Sequence, residues 1–70
     1  MKLSARNILE GRVIAINKGQ TTAHVRIEVA PNVVLTASIT NDAVDDLALR
    51  EGETASAVIK ASDVMIGKQD

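Results

Sequence analysis

Three short polar clusters in this chain hold the residue types that bind an anion. Ser4-Ala5-Arg6-Asn7 puts a hydroxyl, a guanidinium and an amide close together with no acid among them. Lys60-Ala61-Ser62-Asp63 adds an ammonium and a second hydroxyl, and Thr40-Asn41 a third hydroxyl. An oxyanion accepts hydrogen bonds and donates none. It therefore needs several donors, preferably cationic, in a partly dehydrated pocket. Ser4, Arg6, Thr40, Lys60 and Ser62 are the candidate donors. The plain alternative is structural: Ser4 and Asn7 as turn formers, Lys60 as a solvated strand end, Thr40 as the lead into a helix cap.

Other chemistries find less support. Cysteine is absent, which excludes disulfides, thiolate metal sites and a cysteine nucleophile. The only histidine, His24, sits beside Arg26 with no motif around it, so it reads as an exposed strand residue. Asp45-Asp46 is a carboxylate pair in name only, because adjacent helical residues do not converge. No nucleophile stands beside a base and an orienting group, so no enzyme is expected. Eight basic residues against nine acidic ones give a net charge of -1, without the basic surplus that nucleic-acid binding requires. Phe, Trp and Tyr are all missing, so there is no platform on which bases could stack.

The elements that must position the three clusters follow from alternation. Ile8 to Asn17 reads as a first strand with apolar residues on both faces, and Gly11 marks a bend or a close backbone approach. Asn17-Lys18-Gly19-Gln20 reads as a turn in which Gly19 supplies a positive φ. Ala23, Val25, Ile27 and Val29 alternate with Thr22, His24, Arg26 and Glu28 in a second strand with one wet face. Ala30-Pro31-Asn32 interrupts, and Val33 to Thr40 forms a third strand. Asn41 or Asp42 is expected to cap a short helix that shows Val44 and Leu47 on one face. A fourth strand over Ala55–Lys60 and a final one over Val64–Ile66 complete the order, before the polar tail Lys68-Gln69-Asp70. The fold class expected is all-β: a five-stranded OB-like Greek-key barrel with one short helix between strands 3 and 4. All three polar clusters then fall at strand ends.

Seventy residues make one domain, 1–70, which buries only about 60% of its unfolded surface. Without disulfide, metal or aromatic residues, a scaffold of this size is expected to rely on oligomerisation. Val33-Val34-Leu35 and Ile14-Ala15-Ile16 carry more apolar surface than one small barrel hides, which points the same way. Neither a secretory signal nor an apolar run near the roughly 20 residues of a membrane helix is present, so a cytoplasmic location and no membrane partner are expected.

Ser4-Ala5-Arg6-Asn7, Leu9-Glu10-Gly11-Arg12-Val13, Lys18-Gly19, Ser38-Ile39-Thr40 and Ala57-Val58-Ile59-Lys60-Ala61-Ser62-Asp63-Val64-Met65 stand in the order and spacing of a known pattern. From about Met1 to Gly67 the sequence resembles the molbindins, the stand-alone Mop-domain proteins of bacteria. The resemblance implies a cytoplasmic protein that binds molybdate or tungstate for storage and homeostasis, with no organic cofactor. It also implies an OB-like barrel assembled as a hexamer, a trimer of dimers, with oxyanions held between subunits. The family's oxyanion residues fall on Ser4, Ala5 and Arg6, on Lys60, Ala61 and Ser62, and on Thr40 from a neighbouring subunit. A second oxyanion site near the threefold axis would involve Gly19, Gln20 and Thr21. Where many relatives have a Gly-rich turn, this chain has Ala30-Pro31-Asn32. The competing readings are a non-binding oligomerisation module and an OB-fold nucleic-acid-binding protein.

Overall fold

Alternation decides which residues of the second strand face inward: Ala23, Val25 and Ile27 are buried while Thr22, His24 and Arg26 are exposed. The computed structural model describes residues 2–69; Met1, at the start of the opening segment, and Asp70, at the end of the polar tail, lie outside the described residues. Four strands, β1 (Asn7–Lys18), β2 (Thr22–Ala30), β3 (Val33–Thr40) and β4 (Thr54–Ile59), form one antiparallel sheet in the order β3-β2-β1-β4. Helix α1 (Asn41–Asp46) lies between β3 and β4. The core is Val13, Ala23, Val25, Ile27 and Val44, with Ile16, Ile39, Leu49 and Ala57 packed around it.

A bulge explains the two-faced pattern of β1. Val13 pairs with Ile27 and Ile16 with Val25, with a register shift between Val13 and Ala15. One extra residue thus swings Ile14 outward and returns Ile16 to the core side. Gly11 is the close approach that the sequence suggests. A Cβ there would run into the Glu28 carbonyl oxygen and come within 2.7 Å of Ile27 Cγ2.

Gly19, by contrast, does not supply a positive φ; among the described residues that region holds Asn32, Ala48 and Gly52. Gly19 answers a different constraint. Its N–H donates to Thr22 O at 2.8 Å, and a Cβ would stand 3.0 Å from the same oxygen. The left-handed turn residue is Asn32 instead, at φ 63°, behind Pro31 in the two-residue link between β2 and β3.

The helix differs from expectation at both ends. Its N-cap is Thr40, whose Oγ1 accepts from Ala43 N at 3.0 Å, not Asn41 or Asp42. Val44 is buried, but Leu47 is 66% exposed. Ala48 at φ 51° ends the helix after six residues, with Ala48 N donating to Asp45 O and Leu49 N to Val44 O. This Schellman arrangement turns the chain so that Leu49, not Leu47, packs on the core.

The fifth strand and the closed barrel are not formed. After a single 3-10 turn over Ala61–Asp63, Val64–Ile66 join no ladder, and Met65 and Ile66 are 92% and 90% exposed. A strand exists only where an edge accepts its hydrogen bonds, and Val64–Ile66 pair with neither of the two free edges, β3 and β4. The sheet stays open. Beside β4 this leaves a groove of about 430 Å³, lined with Ile27, Leu47, Leu49, Ala55 and Val58 among others.

Candidate functional site

The pairing of β1 with β4 sets Asn7 opposite Ile59, so the residues just before β1 and just after β4 meet at one end of the sheet. These are Ser4, Ala5 and Arg6 on one side and Lys60, Ala61 and Ser62 on the other. Asn7 Nδ2 donates to Ile59 O at 3.2 Å and ties the two segments together. The second segment is shaped by its 3-10 turn, in which Asp63 N donates to Lys60 O at 2.9 Å and Val64 N to Ala61 O at 3.3 Å. All six residues are exposed except Ala5, which is half-buried.

The electrostatics of this end are simple. Among the described residues the salt bridges are Lys18–Asp45 and Arg50–Glu53. Arg6 and Lys60 therefore present two positive charges not spent on an ion pair, backed by two hydroxyls. Asp63 is the one acid in the turn. Such an array attracts a dianion. In open water the attraction is weak, about 1 kcal/mol for unit charges 4 Å apart, and it grows several-fold once a neighbouring surface lowers the dielectric.

Thr40 does not belong to this end. It pairs with Thr22, beyond Lys18 at the far end of β1. Twelve residues of β1 lie between the two ends, roughly 36 Å of strand at about 3.3 Å per residue. Gly19, Gln20 and Thr21 are at the Thr40 end. There Asn41 N donates to Thr21 O at 2.8 Å and Asn41 Nδ2 to Gly19 O at 3.0 Å. The structure thus joins Ser4–Arg6 to Lys60–Ser62, and Thr40 to Gly19–Thr21, while one chain keeps these two groups apart.

Two residues outside the candidate donors hold the ends in place, Asn7 and Asn41. The sequence sets both in its polar clusters, as a turn former and a helix cap, but does not show this role, because each acts on a carbonyl far along the chain whose position depends on register. His24 is exposed on β2, opposite Asn17 and Ser38, two pairs in from Thr40 and at the far end of the sheet from Ser4–Arg6. Among the described residues no three His, Cys, Asp or Glu side chains gather as a cation site.

An open antiparallel sheet with one short helix before its last strand, and cations and hydroxyls at its strand ends, defines a small all-β domain of OB-like type. Residues 3–66 match the TOBE domain. The chain belongs to the TOBE family and, within it, to the Mop proteins or molbindins. It is 47% identical over 66 residues to molybdenum-pterin-binding protein 3 of Clostridium pasteurianum, covering 94% of this chain and 97% of that one. Its fold superposes with a TM-score of 0.91 on a molybdate-binding protein from Sporomusa ovata, at 38% identity over 97% of this chain and all of that one. It also matches the molybdate-bound form of the cytoplasmic molybdate-binding protein ModG, with a TM-score of 0.88 and 45% identity. That match takes in 93% of this chain and 46% of ModG, so this chain spans about half of it.

Proposed function

We propose that this protein binds molybdate or tungstate reversibly, without catalysis, at sites shared between subunits of a homo-oligomer, and so stores and buffers the anion in the cytoplasm. The observation that carries the reading is the convergence of Ser4–Arg6 and Lys60–Ser62 through β1–β4 pairing, with neither cation in a salt bridge among the described residues. In this reading Arg6 and Lys60 offset the charge of the dianion. Ser4, Ser62 and backbone N–H groups of the two segments, Ala5 and Ala61 included, orient its oxygens. Thr40 supplies a further hydroxyl from a neighbouring subunit, a role favoured by its distance along β1 from the other donors. A second anion position at Gly19, Gln20 and Thr21 belongs to the same proposal. An inorganic oxyanion suits this surface better than a planar organic group, since the chain has no aromatic side chain to stack on it.

Homo-oligomerisation is supported by apolar surface that one chain leaves wet. Met65 and Ile66 project into solvent, the groove beside β4 is open, and Leu9, Val33 and Val34 are exposed. A second copy of the chain is the occupant proposed for these surfaces, and a trimer of dimers is the assembly proposed by family resemblance. Covering the strand ends in this way also supplies the low-dielectric surroundings that the cation pair lacks.

Calorimetric titration with molybdate, tungstate and sulfate, together with light scattering of the same samples, tests the proposal. Saturable binding of the first two by a particle several times 7.4 kDa is expected. No heat, and no anion retained through gel filtration, would leave the non-binding assembly module standing.

A further inference from the structure

We propose that Asn41 is the positioning residue of the Thr40 donor, acting by locking the β1–β2 turn to the start of α1. The inference rests on the reading of Thr40 as an oxyanion donor. Helix α1 has only six residues, too short to persist on its own local hydrogen bonds, so its contacts elsewhere must hold it. Asn41 supplies two of these from a single residue. Its backbone N–H donates to Thr21 O at 2.8 Å and its side-chain Nδ2 to Gly19 O at 3.0 Å. The ion pair Lys18–Asp45 is a third stitch at the same corner, but both of its side chains are exposed and salt screens it.

The formed helix has a specific consequence for the neighbouring hydroxyl. Thr40 Oγ1 accepts the Ala43 N–H at 3.0 Å, which occupies a lone pair and fixes the rotamer. The second lone pair and the proton stay free, and of these an acceptor-only oxyanion can use only the proton. A Thr40 held in this way meets an acceptor-only oxyanion as a donor without reorienting, whereas in an unravelled corner the hydroxyl rotates freely. Asn41 is a costly residue for this place. Its Oδ1 is buried without a hydrogen-bond partner, a penalty that an apolar residue would avoid. What an apolar residue cannot provide is the bond from Nδ2 to Gly19 O. The same clamp joins Gly19–Thr21 to Thr40, so the two anion-binding elements proposed at this end move as one body.

A double-mutant cycle on molybdate affinity tests the inference, using full-length protein whose particle size matches wild type by light scattering. Thr40→Ala is expected to weaken binding about tenfold, and Asn41→Ala about three- to tenfold. In the Thr40→Ala background, Asn41→Ala is expected to cost nothing further. Equal losses in both backgrounds would show Asn41 acting independently of Thr40, and would overturn the inference. So would a weakened Thr40→Ala protein beside an unaffected Asn41→Ala protein, which leaves the reading of Thr40 intact. An unaffected Thr40→Ala protein overturns the donor reading itself. Should Asn41→Ala fail to assemble, Asn41→Asp keeps the shape and places its charge where a helix N-terminus favours it. A loss with Asn41→Asp that persists unchanged in the Thr40→Ala background is a pure charge effect, and equally overturns the inference.

Discussion

The two ends of the sheet solve opposite problems. At the Ser4–Arg6 and Lys60–Ser62 end, charge is plentiful and fixation is sparse: two cations, exposed side chains, and the single Asn7 to Ile59 bond between segments. At the Thr40 end the charge is net negative, since Lys18 is matched by Asp45 while α1 also carries Asp42 and Asp46, and the backbone is tied by Asn41, Thr40 and Gly19. The first end attracts and the second orients. An anion held by both gains charge compensation from flexible side chains and directionality from a prepaid geometry. Since one chain separates the two ends by the length of β1, an anion held by both, as proposed, requires a second copy of the chain.

The sharpest way to break the comparison is to keep the ends apart. Replacing both Met65 and Ile66 by Asp is expected to cost the assembly about 3–6 kcal/mol, at about 1.5–3 kcal/mol for each buried apolar side chain. Light scattering should return a smaller particle, and molybdate binding should vanish although neither residue is an anion donor. A double variant that stays assembled and binds normally would place the oligomer contact elsewhere.

Next in size is Gly11→Ala, which attacks the strand connecting the ends. Its Cβ meets backbone at Glu28 as well as the Ile27 side chain, and backbone cannot step aside. Destabilisation of about 3 kcal/mol is expected, read as a lowered Tm in thermal unfolding without anion. A melting curve like wild type would mean that β1 and β2 can separate there at little cost.

Arg6→Ala sharpens the charged end alone. Loss of a charge-assisted donor is expected to weaken molybdate binding by about 1.5–3 kcal/mol, with particle size unchanged because Arg6 is exposed and outside the core. Equal protection of wild type and variant against heat, by sulfate as well as molybdate, would reduce Arg6 to a general attractor of anions.

The smallest effect belongs to the orienting end. Ala48 closes α1 at φ 51°, a region that favours glycine. Ala48→Gly is expected to raise stability by about 0.5–1 kcal/mol, seen as a modest rise in Tm with anion affinity preserved. A fall in Tm would mean that Ala48 contributes packing that its exposure does not suggest.

Much of this molecule is legible in its residue order, where the controlling interactions are local. Alternation over Thr22–Val29 and Val33–Thr40 places two strands, and Ile8–Asn17 reads as a first strand with apolar residues on both faces, a pattern whose cause, the bulge, only the pairing shows. Pro31-Asn32 marks the β2–β3 link, and the three polar clusters sit at strand ends as their composition suggests. The misread details depend on geometry that no short window contains. Gly19 is needed for closeness to Thr22 O and not for handedness; Thr40 outcompetes Asn41 for the cap because β3 delivers its hydroxyl to Ala43 N. Leu47 satisfies a helical period yet lies past the point where Ala48 turns the chain.

The sequence by itself determined the strand pattern, the absence of thiol and aromatic chemistry, and the donor types available to an anion. Tertiary structure alone decided which donors meet. Register sets Asn7 against Ile59 and so joins the first and last polar clusters, while it sends Thr40 to the opposite end of β1. It also decided that Val64–Ile66, apolar enough for a strand, pairs with neither free edge of the sheet. The physical reason is the same in each case. Side-chain alternation is a property of neighbouring residues, but a hydrogen-bonded pair across a sheet is a property of two segments whose meeting is set by the packing of the whole.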